Sequence, residues 1–305
     1  MLAIVVVTHD PDLDALQRLV ERIAPAAATI VAVDNGSADQ AGVAELHKRL
    51  GVVGVLSSDN GGLAWAQNLG IDQARRMGAS RVLLLDQDSS LDASHVAVLG
   101  AALDNLIAEG KRVAAVGPAY TEVNTARPMP LPRARRITID WGRGVDGEIS
   151  PRGLPIEVDY VIASGALMPM AAIDQAGSMD DRLFIDLVDV DWGLRARAAG
   201  LRSYIVPPVR AGHTIGRGYL VVAGRRVVLH SPMRNYFWAR NAVALCRRQH
   251  VGLPWKLFLL RRVVIYTVAY PLFADRKLVR LRRFLLGGWH GLTGVWSPPR
   301  HIHGD

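Results

Sequence analysis

Hydrophobic positions over the first 117 residues switch repeatedly between two periods. Residues 2–8 form an unbroken β-branched run, the pattern of a strand buried on both faces. Residues 12–24 then space Leu13, Leu16, Leu19, Val20 and Ile23 along one helical face. The alternation continues, predicting strands at 29–33, 52–56, 81–85 and 112–116 and helices at 43–50, 63–77 and 96–107. Strands alternating with helices predict an α/β fold whose mostly parallel sheet is covered on both faces. Ligands of such sheets sit beyond the carboxyl ends of the strands. The polar groups that follow the first four strands, Thr8-His9, Asp34-Asn35, Asp59-Asn60 and Asp86-Asp88, therefore fall on one edge.

Beyond this region the pattern loosens. Residues 117–157, rich in proline and arginine, read as an irregular excursion, and 158–163 as a strand leading into Ser164-Gly165-Ala166. Residues 190–199 read as a helix stopped by Gly200, and 202–206 as a strand closed by Pro207-Pro208. From Arg234 to about Leu286 the chain reads as helical, with breaks near Pro254 and Pro271. The expected organisation is one α/β domain over 1–230 and a basic amphipathic helical region over 231–305.

Composition narrows the class. Half of the 305 residues are hydrophobic and 21% are charged, which excludes global disorder. The net charge of +8 is concentrated in the tail, where Asp275 is the only acid between Arg234 and Arg283. The single cysteine, Cys246, excludes an internal disulfide framework and fits a reducing compartment. The N-terminal apolar run is too short for a signal peptide. The most membrane-like stretch, 257–273, is interrupted by Arg261 and Arg262.

Several segments can carry chemistry. Val82-Leu83-Leu84-Leu85 delivers Asp86-Gln87-Asp88 to the ligand edge, where two carboxylates suit Mg²⁺ or Mn²⁺, or form an ordinary solvated turn. Asn60-Gly61-Gly62 permits close backbone approach, and the helix that follows offers N–H groups to an anion; a plain glycine turn is the alternative. Asp34 can accept hydrogen bonds from a base or ribose, or organise an Asx-turn. Asp186, Asp189 and Asp191 crowd the mouth of a helix, where the dipole favours acids and where Asp189 is placed to take a hydroxyl proton. His213, within Gly212-His213-Thr214, is either structural or a further metal ligand. A dinucleotide fingerprint is disfavoured, because Thr8-His9-Asp10 follows the first strand where a glycine-rich loop would be needed.

Taken in order, Val5-Val6-Val7-Thr8, Val33-Asp34-Asn35-Gly36-Ser37, Asn60-Gly61-Gly62 through Asn68-Leu69-Gly70, Asp86-Gln87-Asp88, Ser164-Gly165-Ala166, Asp189-Val190-Asp191-Trp192-Gly193-Leu194-Arg195 and Gly212-His213 resemble the inverting family 2 glycosyltransferases of GT-A fold. The Asp-Val-Asp-Trp string and the segment from Arg234 to Asn241 are most similar to the bacterial rhamnosyltransferase branch. The resemblance implies a GT-A domain with a nucleotide-binding half over 1–117, an acceptor and catalytic half over 118–230, and a C-terminal helical extension. It implies nucleotide-sugar contacts at Thr8, Asp34, Asn60, Gly61, Asp86 and Gln87, and Mg²⁺ or Mn²⁺ at Asp88 and His213. Asp189 would be the general base, with Gly165, Asp191, Trp192 and Arg195 positioning acceptor or sugar. Many relatives carry an acid at the place of Val188, so Asp191 stays open as the base. The implied reaction moves L-rhamnose from dTDP-L-rhamnose to a saccharide or lipid-linked acceptor in cell-surface polysaccharide synthesis. A galactofuranosyl or other hexosyl transfer from a UDP-sugar is the alternative.

The tail invites two partners. Residues 255–266 mix aromatic, aliphatic and basic side chains, as in a helix lying on an anionic membrane, or in one packed on a second subunit as a homodimer. The expected location is cytoplasmic, peripheral at the inner face of the cell membrane. Two other classes fit less well. A nucleotidyltransferase would need a glycine-rich basic loop after the first strand. A nucleic-acid partner is not expected, since no reading module accompanies the basic stretch.

Overall fold

The protein is described by a computed structural model over residues 1–122, 127–129, 131–142, 153–213, 219–222, 225–228 and 231–296. Strands β1 (Leu2–Thr8), β2 (Thr29–Asn35), β3 (Val53–Ser57) and β4 (Arg81–Asp86) alternate with helices α1 (Leu13–Ile23), α2 (Gln40–Arg49) and α3 (Leu63–Arg76). Helix α4 (Ala93–Ala108) leads into β5 (Val113–Glu122). Short strands β6 (Arg127–Pro128), β7 (Leu131–Ala134), β8 (Ile139–Gly142), β9 (Ile156–Val158) and β10 (Leu167–Pro169) follow, then α5 (Met170–Ala176) and α6 (Val188–Ala198). The chain continues through β11 (Arg202–His213), β12 (Tyr219–Val222) and β13 (Arg225–Val228), and ends in α7 (Pro232–Cys246), α8 (Leu253–Phe273) and α9 (Lys277–Thr293).

The main sheet has the order β3-β2-β1-β4-β10-β5-β11-β9, with β6 on β5. Strands β1 to β4 are mutually parallel, β10 runs antiparallel between β4 and β5, and β5 pairs parallel with β11. Side chains alternate across it: Ala3, Val5 and Val7 enter one buried cluster, and Ile4 and Val6 the other. Burial of both faces explains why β1 reads as continuous rather than alternating hydrophobicity. Asp12, Asp39 and Asp92 cap α1, α2 and α4, accepting from the backbone N–H groups of Ala15, Gly42 and His95. Each such cap contributes about 1 kcal/mol. The register sets Thr8 beside Asp34 and Val7 beside Asp86, so the ends of β1, β2 and β4 form one edge.

Several expectations need correcting. The stretch 117–157 is not irregular throughout, since β5 continues to Glu122, β6, β7 and β8 lie within it and β9 begins there. Pro207-Pro208 does not close β11, which continues to His213. The ladder shifts register between Val206, opposite Pro118, and Arg210, opposite Ala119. The N–H groups that the prolines lack would thus have fallen in a bulge, where a ladder tolerates proline. The strand placed at 158–163 is instead Ile156–Val158. The backbone beyond it turns to β4, where Gly165 donates to the Leu84 carbonyl at 2.6 Å. Pro254 sits in the first turn of α8, and the break expected near Pro271 falls just beyond it, at 274–276, between the end of α8 at Phe273 and the start of α9 at Lys277. Helicity persists to Thr293 rather than to about Leu286. Trp238, Ala242, Leu245 and Trp255 join the same buried cluster as the sheet, so the C-terminal helices share the core of the α/β layers.

Candidate active site

The edge formed by β1, β2 and β4 is tied together by short polar side chains. Asn35 donates to Asn60 Oδ1 at 3.0 Å and accepts from the Gly61 N–H at 2.9 Å, while Asn60 Oδ1 also accepts from the Gly62 N–H at 3.0 Å. His9 lies between them, its Nδ1 3.0 Å from the Asn35 carbonyl and its Nε2 3.4 Å from Asn60 Nδ2. The ring stays 46% exposed, which makes it a polar surface of this edge. Gln87 clasps the His9 backbone, accepting from its N–H at 2.7 Å and donating to its carbonyl at 3.2 Å.

Thr8 and Asp34 are buried behind this surface. Asp34 is 0% exposed, and its carboxylate accepts from the Ser37 N–H, the Ser37 hydroxyl and the Thr8 hydroxyl. Two of these donors come from Ser37 in its own turn, as in an Asx-turn, and the third, Thr8, from β1. The first N–H of α3 is also engaged: Leu63 donates to the Phe184 carbonyl at 2.6 Å.

Asp88 and Asp189 lie near enough to Asp86, at the end of β4, for their charges to act on it. Asp86 is pushed up to about 7, by burial first and then by the negative charges of Asp88 and Asp189. Asp189 is pushed up to about 6, mainly by burial, with Asp186 adding to the rise and the Val190 N–H, 2.8 Å from Oδ1, opposing it. It borders a small cavity whose walls include Leu84, Ala163, Ala166 and Met168, an apolar surround that penalises a charged carboxylate. Burial first, and then the charges of Asp86, Asp88 and Asp189, push up the neighbouring Tyr120 hydroxyl, which donates to the Ser164 carbonyl. Ser164 Oγ accepts from the Asp86 N–H at 3.1 Å. Gly165 makes this possible: at φ +91°, a side chain there would put its Cβ 2.7 Å from the Tyr120 hydroxyl oxygen.

Uncompensated negative charge on oxygen ligands is the setting that a hard divalent cation relieves, so Asp86 and Asp88 fit Mg²⁺ or Mn²⁺. Among the described residues no group of three or more His, Cys, Asp or Glu converges as a complete metal site. His213 ends β11 opposite Glu122; its side chain, with Thr214 to Gly216, lies outside the described residues.

Asp191 faces elsewhere. Its carboxylate is 0% exposed and held by Arg248, by His250 at 2.8 Å and by Arg195 at 3.3 Å, partners that lower its pKa against burial. Trp192 donates to the Gly177 carbonyl at 2.8 Å and Arg195 to the Ala176 carbonyl at 3.0 Å. Trp192 and Arg195 are thus knitted to the end of α5, Asp191 to the turn after α7 and Gly165 to β4, whereas the charge of Asp189 acts on Asp86.

The loop that delivers Asp189 is strained. Phe184 is the centre of a γ-turn at φ +63° and ψ −66°, closed by the Ile185 N–H on the Leu183 carbonyl at 2.7 Å. Asp186 and Leu187 follow at φ +66° and +62°. Non-glycine residues in such regions cost about 1–3 kcal/mol each, so the loop must be held from outside. Helix α7 holds it. Asn241 Nδ2 lies 2.8–2.9 Å from the carbonyls of Leu183, Ile185 and Asp186. Arg240 donates to those of Arg182 and Leu183 at 2.7 and 3.0 Å. Arg234 grips the Asp186 carboxylate with Nε and Nη2, and Phe237 stacks on Phe184 with centroids 4.6 Å apart. On its other side the loop touches Gly62, which at φ +92° would put a Cβ 2.6 Å from the Phe184 ring. One loop therefore links the asparagine-glycine edge, Asp189 and α7. Arg234, Arg240 and Asn241 lie in a segment that carries the family resemblance, but nothing in the sequence points to their target, which lies more than 45 residues upstream.

A sequence model of the family described as "Glycosyl transferase family 2" matches residues 3–176. Across 97% of both chains the protein is 28% identical to the dTDP-rhamnosyl transferase RfbF of Shigella flexneri. S. aureus TarS 1–349 in complex with UDP-GlcNAc superposes with a TM-score of 0.59 at 16% identity, covering 99% of this chain and 82% of that one. GalNAc-T7 with UDP, GalNAc and Mn²⁺ gives 0.56 at 15% identity, over 98% and 58% of the two chains. The fold expected from the sequence, a GT-A-like α/β domain with C-terminal helices, is the one these neighbours share.

Proposed function

Because the chain belongs to glycosyl transferase family 2, we propose that it is an inverting hexosyltransferase that moves L-rhamnose from dTDP-L-rhamnose to a saccharide or lipid-linked acceptor in cell-surface polysaccharide synthesis. Glycosyl transfer follows from the family, and the rhamnosyl donor is supported by the full-length relative. The observation that supports the reading is the influence of the Asp88 and Asp189 charges on Asp86 at the carboxyl end of β4.

In this reading His9, Asn35, Asn60 and Gly61 present polar groups to the nucleotide, and Thr8, Asp34 and Gln87 hold those residues in place. Asp88 and Asp86 would hold Mg²⁺ or Mn²⁺, which would offset the negative charge of the diphosphate. The acceptor hydroxyl approaches the anomeric carbon from the side of Asp189. Its oxygen forms the new glycosidic bond as the bond from carbon to phosphate oxygen breaks, and the electron pair leaves with the nucleoside diphosphate. The hydroxyl proton passes to the Asp189 carboxylate, and the anomeric centre inverts. A base raised to about 6 is still ionised at neutral pH yet more basic than a free aspartate, which suits proton removal in flight. Residues 1–230 form the transferase unit, and the helices beyond hold the loop before Asp189.

The test is a panel of nucleotide-sugars with Mn²⁺ or Mg²⁺, read as release of nucleoside diphosphate in the presence of acceptor. dTDP-L-rhamnose should be the donor turned over, and a chelator should abolish turnover. Turnover of UDP-galactofuranose or another UDP-hexose alone would favour the second reading, which the UDP-bound neighbours of the same fold prompt. Absence of transfer from every donor would defeat both.

A further inference from the structure

Helix α8 is apolar on both sides. Trp255, Leu259, Tyr266, Ala269 and Tyr270 are buried toward the protein. On the opposite side Leu253, Leu257, Leu260, Val264, Val268 and Leu272 recur once per turn and are all exposed, Val264 to 63%. A helix that is hydrophobic all round is ordinarily covered all round, so this stripe calls for a partner. Helix α9 repeats the arrangement: Leu278, Leu285, Trp289 and Leu292 are exposed along one side, Leu278 to 82% and Trp289 to 62%. Arg282 is exposed within that stripe, and Arg261 beside the one on α8. Arg276 and Lys277 are exposed between the two helices.

Charge identifies what covers these stripes. Neither α8 nor α9 contains an aspartate or glutamate. The one acid between them, Asp275, is paired with Arg280 at 2.6 Å. Two copies meeting through this face around a two-fold axis would bring like charges together with no acid on either helix to receive them. A surface with apolar interior and anionic headgroups accepts both features: the aliphatic stripe enters the boundary, Trp289 sits at headgroup level and the arginines reach the phosphates. No helix among the described residues is long and apolar enough to cross a membrane, so the contact is with the surface. We propose that the exposed faces of α8 and α9 dock the protein on an anionic lipid surface. The proposal stands on these helices alone and does not depend on the donor or on the assignment of Asp189.

Sedimentation of the full chain with vesicles tests it, using phosphatidylcholine alone against phosphatidylcholine mixed with phosphatidylglycerol, together with light scattering of the free protein. Two variants accompany the wild type, each checked for an unchanged thermal melt: Leu257→Gln with Val264→Gln and Leu285→Gln, and Arg261→Gln with Arg282→Gln. The wild type should bind the mixed vesicles and be monomeric in solution. The leucine and valine variant should lose binding. The arginine variant should bind about 30-fold more weakly, a factor of about five per charge. Equal binding to both vesicle types, or undiminished binding of either variant, overturns the proposal. So does a soluble dimer that the apolar variant dissociates, an outcome that assigns the face to a second copy.

Discussion

Arg234 and Asp186 form a two-pronged ion pair between α7 and the strained loop that precedes Asp189. Asp186 adds to the rise of the Asp189 pKa, and Arg234 is the cation that offsets its charge. Replacing Arg234 with Gln leaves a nearly buried carboxylate without its cation, three residues before the proposed base. The acid limb of the pH–rate profile should shift to higher pH, because Asp189 becomes harder to ionise. An unshifted limb with a merely lower plateau would mean that the pair supports the loop without influencing Asp189.

The two aspartates of α6 should behave differently. Asp189→Asn should bind donor normally and lose about 10²–10⁴-fold in kcat. Asp191→Asn should unfold more easily, by roughly 3 kcal/mol, because it removes the carboxylate that Arg195, Arg248 and His250 share in the interior. Its folded fraction should still transfer sugar. Paired measurements of kcat and thermal melting separate the two, and a dead but fully stable Asp191→Asn would exchange the roles.

Turnover should rise with pH through about 6 and then level, since the ionised form of Asp189 acts and burial holds its pKa near that value. Initial rates at saturating donor give the midpoint. A profile that falls over the same range would point to a group that acts protonated.

Asp86 makes a prediction about folding without metal. Its pKa is raised on folding from 3.8 to about 7, so the folded state holds the proton more tightly than the unfolded state. Its contribution to stability is therefore complete below about pH 4 and is lost as the pH rises through 7. In chelator, the melting temperature of Asp86→Asn should climb relative to wild type across that window. A difference that is flat in pH would show that Asp86 is not strained by its neighbours.

Gly62 and Gly78 both have left-handed φ, but only Gly62 faces a neighbour. Gly78→Ala should cost about 1 kcal/mol from the backbone alone. Gly62→Ala must also displace Phe184, and should weaken donor binding as well as stability. Differential melting and donor titration distinguish them, and equal effects would remove the contact with Phe184 from the account.

The elements from β1 to α4 were legible because their signals are local: a β-branched run, a helical face, a capping aspartate. Their strand ends marked the site for the same reason, as the edge follows from strand direction alone. Pro207-Pro208 misled because a local stop signal gives way when a bulge absorbs the missing donors. Asp34 shows a different limit. An acid at a strand end reads identically whether it faces solvent or closes its own turn, and only packing decides. The support of the Asp189 loop was the least legible part, because Asn241 acts on Leu183 across 58 positions and nothing near either residue announces the other.

The grip of α7 on residues 183–187 sets the terms on which this protein can be recombined. A chimera that takes its front half from one relative and its terminal helices from another would separate a bent segment from the splint fitted to it. Such hybrids should express poorly unless the two pieces travel together, and a version trimmed to the α/β layers should fail for the same reason.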